Sequence, residues 1–327
     1  MPRGRLAPSP TGRLHLGNLG SSLLAWAEIR RRGGELLLRI EDLDPPRVVD
    51  GAEAALIDDL RWLGIDWDAG PGDPEIAGPW HQSARGPHYA AATRRLAEAG
   101  AVYPCTCSRR EIAEALSAPH TAFDPSTRYP GTCADRTLAD VDDDGDHALR
   151  VRARGVWTVD DRVFGPITHD LAVTPGDFVI RRRDGLWAYQ LAVSVDDVEM
   201  GVTDILRGYD LLDSAPRQAA LHAALGGDPI AFWHVPLLVD ARGERLAKRT
   251  GAMGRDGLVE AGWCPDTLRG GLANLYGLRA DFTPLTGDAF AASFAVRPLC
   301  RPEIRVPDAF FVGPDAWRRH LELHGAP

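Results

Sequence analysis

The chain has 327 residues, 44% of them hydrophobic and 25% charged, a composition that provides for a sizeable core and about two domains and excludes a small disulfide-stapled module. No uncharged apolar run approaches the ~18 residues of a membrane span, and Met1 to Pro10 lack the apolar stretch of a secretory signal, so no membrane partner, a cytoplasmic location and reduced cysteines are expected. The formal net charge of −9 excludes broad nucleic-acid binding through a uniformly basic surface and leaves room for a local basic face.

With 34 glycines and 25 prolines the chain reads as a loop-rich α/β protein. Arg3 to Ala7 opens as a strand, which Pro8-Ser-Pro-Thr-Gly12 ends in a turn. Leu16, Leu19, Leu23, Trp26 and Ala27 then share one face at helical spacing, and the arginines at 30, 31 and 32 suit a helix C-terminus before Gly33-Gly34. Glu35 to Ile40 is a continuous apolar run, as in a buried parallel strand, so the start reads strand, helix, strand. Further helices fit Ala52 to Leu63 and His88 to Ala99. Residues 101–175, with three cysteines and the acidic run from Asp140 to Asp146, read as an insertion in which that run is a solvated loop. Strand-like apolar stretches return from Asp177, a helix spans Pro216 to Leu225 with Ser214 as its cap, and Leu237 to Val239 is a buried strand. The remainder after the loop at 240–254 is helical and loop-like. Cys264 and Cys300, far from the other thiols, are expected to be buried small apolar residues.

The stretch Ala7-Pro-Ser-Pro-Thr-Gly-Arg-Leu-His-Leu-Gly-Asn18 is the most informative. A turn leading into a helix, with His15 and a close-packing Gly17 at the junction, aims backbone amides and an imidazole at one point, the arrangement that holds phosphate. Alone it is equally a capped helix with a surface histidine. Arg245-Leu-Ala-Lys-Arg249 lies on a flexible loop after a strand, where a lysine can swing onto phosphates and neutralise developing charge.

The two segments together, in this order, resemble the two signatures of class I aminoacyl-tRNA synthetases. Arg5-Leu-Ala-Pro-Ser-Pro-Thr-Gly12, Leu38-Arg-Ile-Glu-Asp-Leu-Asp-Pro-Pro-Arg47 and Val202-Thr-Asp-Ile-Leu-Arg-Gly208 are similar to the glutamyl-tRNA synthetase group, and these strings span most of residues 3 to 250. The resemblance implies a Rossmann-like nucleotide-binding domain of α/β class, with residues 1–100 and 176–254 as its halves, 101–175 as a zinc-containing insertion and 255–327 as a short helical C-terminal region. It implies His15 and Lys248 as catalytic residues and Pro8, His15, Gly17, Asn18, Arg245 and Lys248 as the ATP site. Two departures stand out: Asn18 ends the first signature in place of histidine, and Arg245 and Ala247 replace the usual lysine and serine of the second. Asn18 keeps a hydrogen-bonding side chain, whereas Ala247 loses any hydroxyl contact.

Glutamate carries two carboxylates and an ammonium, and arginine is the best carboxylate clamp because its planar fork bonds both oxygens. The resemblance implies Arg5 and Arg207 as the cations, Glu41 as the partner of the ammonium, and Tyr189 and Ser9 as hydrogen-bonding groups. Asp196-Asp197 lies in a matching string and is expected near the site, without a role.

Cys105, Cys107 and Cys133 suggest structural zinc, which takes four ligands. General zinc chemistry favours His120 as the fourth; the Tyr-x-x-x-Cys spacing resembles the zinc site of shorter glutamyl-tRNA synthetase paralogues and implies Tyr129. Residues 249 to 327 are fewer than the roughly 100–200 of a further domain, so no anticodon-binding domain is expected. This shortness and the insertion resemble the glutamyl-queuosine tRNA(Asp) synthetases. That resemblance implies L-glutamate, ATP with Mg²⁺, and queuosine-bearing tRNA(Asp) as partners of a monomer. The alternatives are a short enzyme charging the tRNA 3′ end, an adenylating enzyme with a non-RNA acceptor, and a catalytically silent binding module. Arg181-Arg-Arg183 and Arg109-Arg110 are the candidate RNA-contacting patches.

Overall fold

A computed structural model of the chain describes residues 1–73, 79–108, 111, 129–141, 145–244, 246 and 254–325. The expected opening strand, helix and strand are present as β1 (Arg3–Leu6), α1 (Leu16–Arg31) and β2 (Glu35–Leu38), with β1 and β2 paired in parallel. Gly33, at φ +64°, takes the left-handed turn that lets the chain reverse into β2. The expected second and third helices are α2 (Ala52–Trp62) and α3 (Gly86–Glu98).

Two further parallel strands lie beside β1. β8 (Asp204–Gly208) and β9 (Ala231–Val235) pair in parallel, and the backbone N–H of Thr203 donates to the carbonyl of Arg3 at 2.9 Å, placing β8 beside β1. Ala231 N–H in turn donates to the Thr203 carbonyl. The expected strand at Leu237 to Val239 is β10 (Leu237–Val239), parallel to the short β11 (Glu303–Arg305).

The intervening segment builds a smaller antiparallel sheet from β3 (Val102–Cys105), β4 (Ala148–Val151) and β7 (Phe178–Arg181), and a hairpin from β5 (Val156–Asp161) and β6 (Gly165–Asp170). Part of the acidic run is described: Asp140 caps the preceding turn through the Thr137 N–H, at 2.6 Å, and Asp146 pairs with Arg183 at 2.7 Å.

One stretch read as strand-like after Asp177 is helical, namely α4 (Tyr189–Glu199). Leu191 through Asp197 are all buried, the polar Ser194, Asp196 and Asp197 included, so the polar positions of the run do not mark a solvent face. α5 (Ala215–Ala224) agrees with the expected helix, but Ser214 does not cap it through its side chain. Its hydroxyl instead accepts a hydrogen bond from Gln190 Nε2 at 3.1 Å, tying α5 to α4.

Beyond residue 254 come α6 (Arg255–Glu260), α7 (Pro265–Leu275), α8 (Gly287–Ser293), α9 (Asp308–Val312) and α10 (Pro314–His324). They share one core with the first strand and helix: Leu16, Leu19 and Leu23 of α1 belong to the same buried cluster as Leu268 and Leu272 of α7, Phe290 of α8 and Trp317 of α10. The expectation that Cys264 and Cys300 are buried is wrong, for both are exposed. Cys264 is the N-terminal capping residue of α7, where its backbone N–H reaches Thr267 Oγ1 at 3.0 Å, so the local turn places it at the surface.

Candidate active site

The turn expected to hold phosphate is fixed from beneath. Gly12 sits at φ +127°, where a side chain is disfavoured, and buried Asp59 of α2 accepts the Leu14 N–H at 3.1 Å and pairs with Arg13 at 2.7 Å. Burial raises the Asp59 carboxyl above its ordinary range against the lowering influence of these partners. His15 is the N-cap of α1, and its Nδ1 accepts the Asn18 N–H at 3.3 Å. In the neutral ring the proton is therefore on Nε2. A Cβ at Gly17 would lie 3.1 Å from His15 Cε1, so glycine there lets the imidazole fold over the helix start.

This helix start opens on a cavity of about 770 Å³. Its lining includes Pro8, Ser9, His15, Gly17 and Asn18 together with Arg5, Glu41, Tyr189 and Arg207. The described residues from the expected ATP and glutamate sets thus meet at one cavity, although they come from β1, α1, the segment after β2, α4 and β8. Arg245 and Lys248 lie outside the described residues, as do Ala247, His120, Arg109 and Arg110; Leu246, from the same loop, lines the cavity.

Charge in the wall is organised in two ways. On one side Arg39, fully buried, reaches Glu41 at 3.1 Å, Asp197 at 2.8 Å and Asp196 at 3.6 Å, while Arg5 Nε lies 3.4 Å from Asp197. Asp196 is further held by Arg85 at 2.6 Å, Gln82 at 2.8 Å and the Tyr89 hydroxyl at 3.0 Å. Burial raises the Glu41 carboxyl, opposed by Arg39 and Arg5; for Asp197 burial acts upward too, but Arg39 and Arg5 hold it below the usual range. Burial likewise raises the Tyr189 phenol, which stays protonated and able to donate.

On the other side Arg207 is 6% exposed, and its partners are His234 Nε2 at 3.0 Å, Gln218 Oε1 at 2.6 Å and the Leu211 carbonyl at 3.1 Å. None carries negative charge, and among the described residues no carboxylate forms an ion pair with Arg207. A buried cation in that state favours an anionic ligand from the cavity. Sequence reasoning missed Arg39, Gln218, His234 and the Asp161 carboxylate that His234 meets at 2.6 Å. Arg39 alone had a signal, since it lies within the quoted string Leu38 to Arg47.

A second cluster lies in the small sheet. The Sγ atoms of Cys105, Cys107 and Cys133 all fall within 4.8 Å of one another, and the Tyr129 hydroxyl lies 3.4 Å from Cys105 Sγ and 3.5 Å from Cys107 Sγ. Tetrahedral coordination at ordinary Zn–S and Zn–O bond lengths sets S···S near ~3.8 Å and S···O near ~3.5 Å. The three thiols with the phenol fit such an ion. Arg150 lies over the Tyr129 ring at 3.7 Å to its centroid, which fixes the phenol's orientation.

The candidate RNA patch at 181–183 is largely matched within the chain. Arg181 lies over the Trp187 ring, Arg182 pairs with Asp184 and Asp44, and Arg183 pairs with Asp146.

The profile of the family described as tRNA synthetases class I (E and Q), catalytic domain, matches residues 2–279. A protein of Nitratidesulfovibrio vulgaris named glutamyl-Q tRNA(Asp) synthetase is 46% identical over 312 residues, covering 92% of this chain and 96% of its own length. Proteins of the same name from Symbiobacterium thermophilum and Burkholderia cenocepacia are 43% and 44% identical, covering 93% and 98% of this chain and 95% and 97% of theirs. In fold, the crystal structure of a glutamate tRNA ligase from Elizabethkingia meningosepticum in complex with its amino acid matches with a TM-score of 0.80 at 24% identity, covering 98% of this chain and 70% of that one.

Proposed function

Because the chain belongs to the class I tRNA synthetases of the E and Q group, and within it to the glutamyl-Q tRNA(Asp) synthetases, we propose that it activates L-glutamate with ATP and transfers it to the cyclopentenediol of queuosine at the wobble position of tRNA(Asp). The observation that carries the reading is the cavity lined both by the start of α1, with His15, Gly17 and Asn18, and by Arg207, a buried cation whose hydrogen-bond partners among the described residues are neutral.

In this reading Arg5 and Arg207 receive the carboxylates of glutamate, Glu41 meets its ammonium, and Tyr189 and Ser9 complete the hydrogen bonds. ATP lies along Pro8, His15, Gly17 and Asn18, with Arg245 and Lys248 supplied by the loop beyond β10. A glutamate carboxylate oxygen attacks the α-phosphorus, the bond to the bridging oxygen breaks, and pyrophosphate leaves. A queuosine hydroxyl then attacks the acyl carbon, giving the ester and AMP. His15, the α1 amides and Lys248 stabilise charge on the phosphates, and Mg²⁺, when bound with ATP, would add positive charge there.

Cys105, Cys107, Cys133 and Tyr129 would hold one structural Zn²⁺, which when bound ties β3 to the segment following Tyr129. The chain acts as a monomer, with residues 1–100 and 176–254 forming the catalytic domain, 101–175 its insertion and 255–327 the C-terminal region. One bound zinc per chain is expected by elemental analysis, with Cys107→Ser losing most of it.

Glutamate-dependent ATP–pyrophosphate exchange tests the first step. Loss of one such charge-stabilising group typically costs about 3–4 kcal/mol, so Lys248→Ala is expected to lower exchange well over tenfold, and near wild-type exchange would remove Lys248 from the mechanism. Mass analysis of nuclease-digested RNA product tests the second: glutamate on queuosine is expected, and glutamate on the terminal adenosine would make the chain a conventional charging enzyme.

A further inference from the structure

Behind the cavity wall three buried side chains stand in line. Asp161, at the end of β5, accepts the backbone N–H groups of Val163 and Phe164 through Oδ1, at 3.0 and 2.9 Å, which locks its carboxylate in the hairpin turn. Its Oδ2 lies 2.6 Å from His234 Nδ1 and 3.2 Å from the His234 backbone N. On the far side of the same ring, His234 Nε2 lies 3.0 Å from Arg207 Nε.

The Leu211 carbonyl also acts on the His234 ring, but the ring's direct side-chain contacts, to Asp161 and Arg207, assign its proton. A guanidinium Nε always bears hydrogen and can only donate, so His234 Nε2 accepts and its ring proton sits on Nδ1, donated to Asp161. A doubly protonated ring would set one N–H against another at Arg207. Burial, reinforced by the Arg207 charge and opposed by Asp161, lowers the His234 imidazole below its ordinary range and so favours the neutral ring. The two other Arg207 contacts, to Gln218 and the Leu211 carbonyl, hold the fork from its outer nitrogens, and the Phe232 ring lies 5.3 Å beneath it.

We propose that Asp161 and His234 are positioning residues for substrate binding: Asp161 fixes the Nδ1–H tautomer of His234, and the resulting Nε2 acceptor orients Arg207 toward a substrate carboxylate. The β5–β6 hairpin is thereby a working part of the amino-acid site, although none of its residues lines the cavity. The inference builds on the reading of Arg207 as a glutamate-binding residue.

Asp161→Asn tests the tautomer with little change of shape. Its amide can donate to Nδ1 and move the ring proton to Nε2, where it confronts the guanidinium. The glutamate KM in pyrophosphate exchange is expected to rise about tenfold or more, with the ATP KM nearly unchanged. His234→Leu is expected to do the same, whereas His234→Gln, whose side-chain oxygen can accept from Arg207, should hold the glutamate KM within about threefold of wild type. Nitrogen-15 NMR of histidine-labelled wild-type protein should show a neutral His234 protonated at Nδ1, a readout that stands even where the variants fail to fold. Unchanged glutamate KM in folded Asp161→Asn and His234→Leu, or a ring protonated at Nε2 or at both nitrogens, would overturn the relay. Wild-type protein without glutamate-dependent exchange would instead overturn the proposed activity.

Discussion

Arg207 and His222 both lie against the Phe232 ring and differ in how their charge is managed. Among the described residues the hydrogen-bond partners of Arg207 are neutral acceptors, with Asp197 and Glu41 acting on it without direct pairing, so its orientation carries weight beside its charge. Arg207→Lys retains the cation but loses the planar fork, and the glutamate KM is expected to rise at least about tenfold in exchange assays. His222 of α5 is 2% exposed and stacks on Phe232 at 6.2 Å between ring centroids. Burial lowers its imidazole from 6.5 to about 4, against the pull of Asp197. Between those values the unfolded chain binds a proton that the folded chain excludes, so stability is retained above pH 6.5 and falls as pH drops toward 4. The difference amounts to about 3 kcal/mol. His222→Phe keeps the stack and is expected to flatten this part of the slope in urea unfolding measured from pH 7 down to 4.5; an unchanged slope would assign the acid loss to other groups.

At the level of elements, α1 is the hinge between the cavity and the core. Its first turn presents His15 and its backbone amides to the cavity, and its buried face meets the C-terminal helices. Gly20 lets α1 approach Tyr276, whose hydroxyl is buried and has no hydrogen-bond partner among the described residues; a Cβ at Gly20 would come within 3.2 Å of Tyr276 Cε2. Gly20→Ala is therefore expected to destabilise by about 1–3 kcal/mol through overpacking, read as a lower urea midpoint with an unchanged slope. α1 was legible from sequence because one face is apolar and its ends carry His15 and arginines 30–32. α4 was not, because it is rich in β-branched valine and its polar residues Ser194, Asp196 and Asp197 are buried and mark no solvent face. Ser214 misled for a related reason: its hydroxyl serves a contact to Gln190, a residue 24 positions earlier in the chain, which no local pattern announces.

Across the whole molecule, the segment beyond residue 254 is continuous with the catalytic core. Trp317 is fully buried in the cluster that holds Leu16, Leu19 and Leu23. A chain ended at residue 254 would expose that apolar face, so it is expected to lose its sharp unfolding transition and to bind a hydrophobic dye, and retention of cooperative unfolding would show the segment to be dispensable. Among the described residues no helix is long and apolar enough to cross a membrane. The acidic total is met in part by pairing: the arginines at 182 and 183, set apart from sequence as an RNA patch, each face a carboxylate of this chain.

Sequence by itself determined the family, the first strand–helix–strand unit and the residue types of both candidate sites, because those depend on short strings, turn residues and periodicities that are local in the chain. Tertiary structure alone decided which charges are compensated. His234, itself held by Asp161, and Gln218 reach Arg207 from separate elements, and Asp197 joins Arg5 to Arg39 across the sheet. Such contacts span tens to nearly two hundred residues, and burial, which fixes both the cost of a charge and the tautomer of a histidine, exists only once the elements have packed.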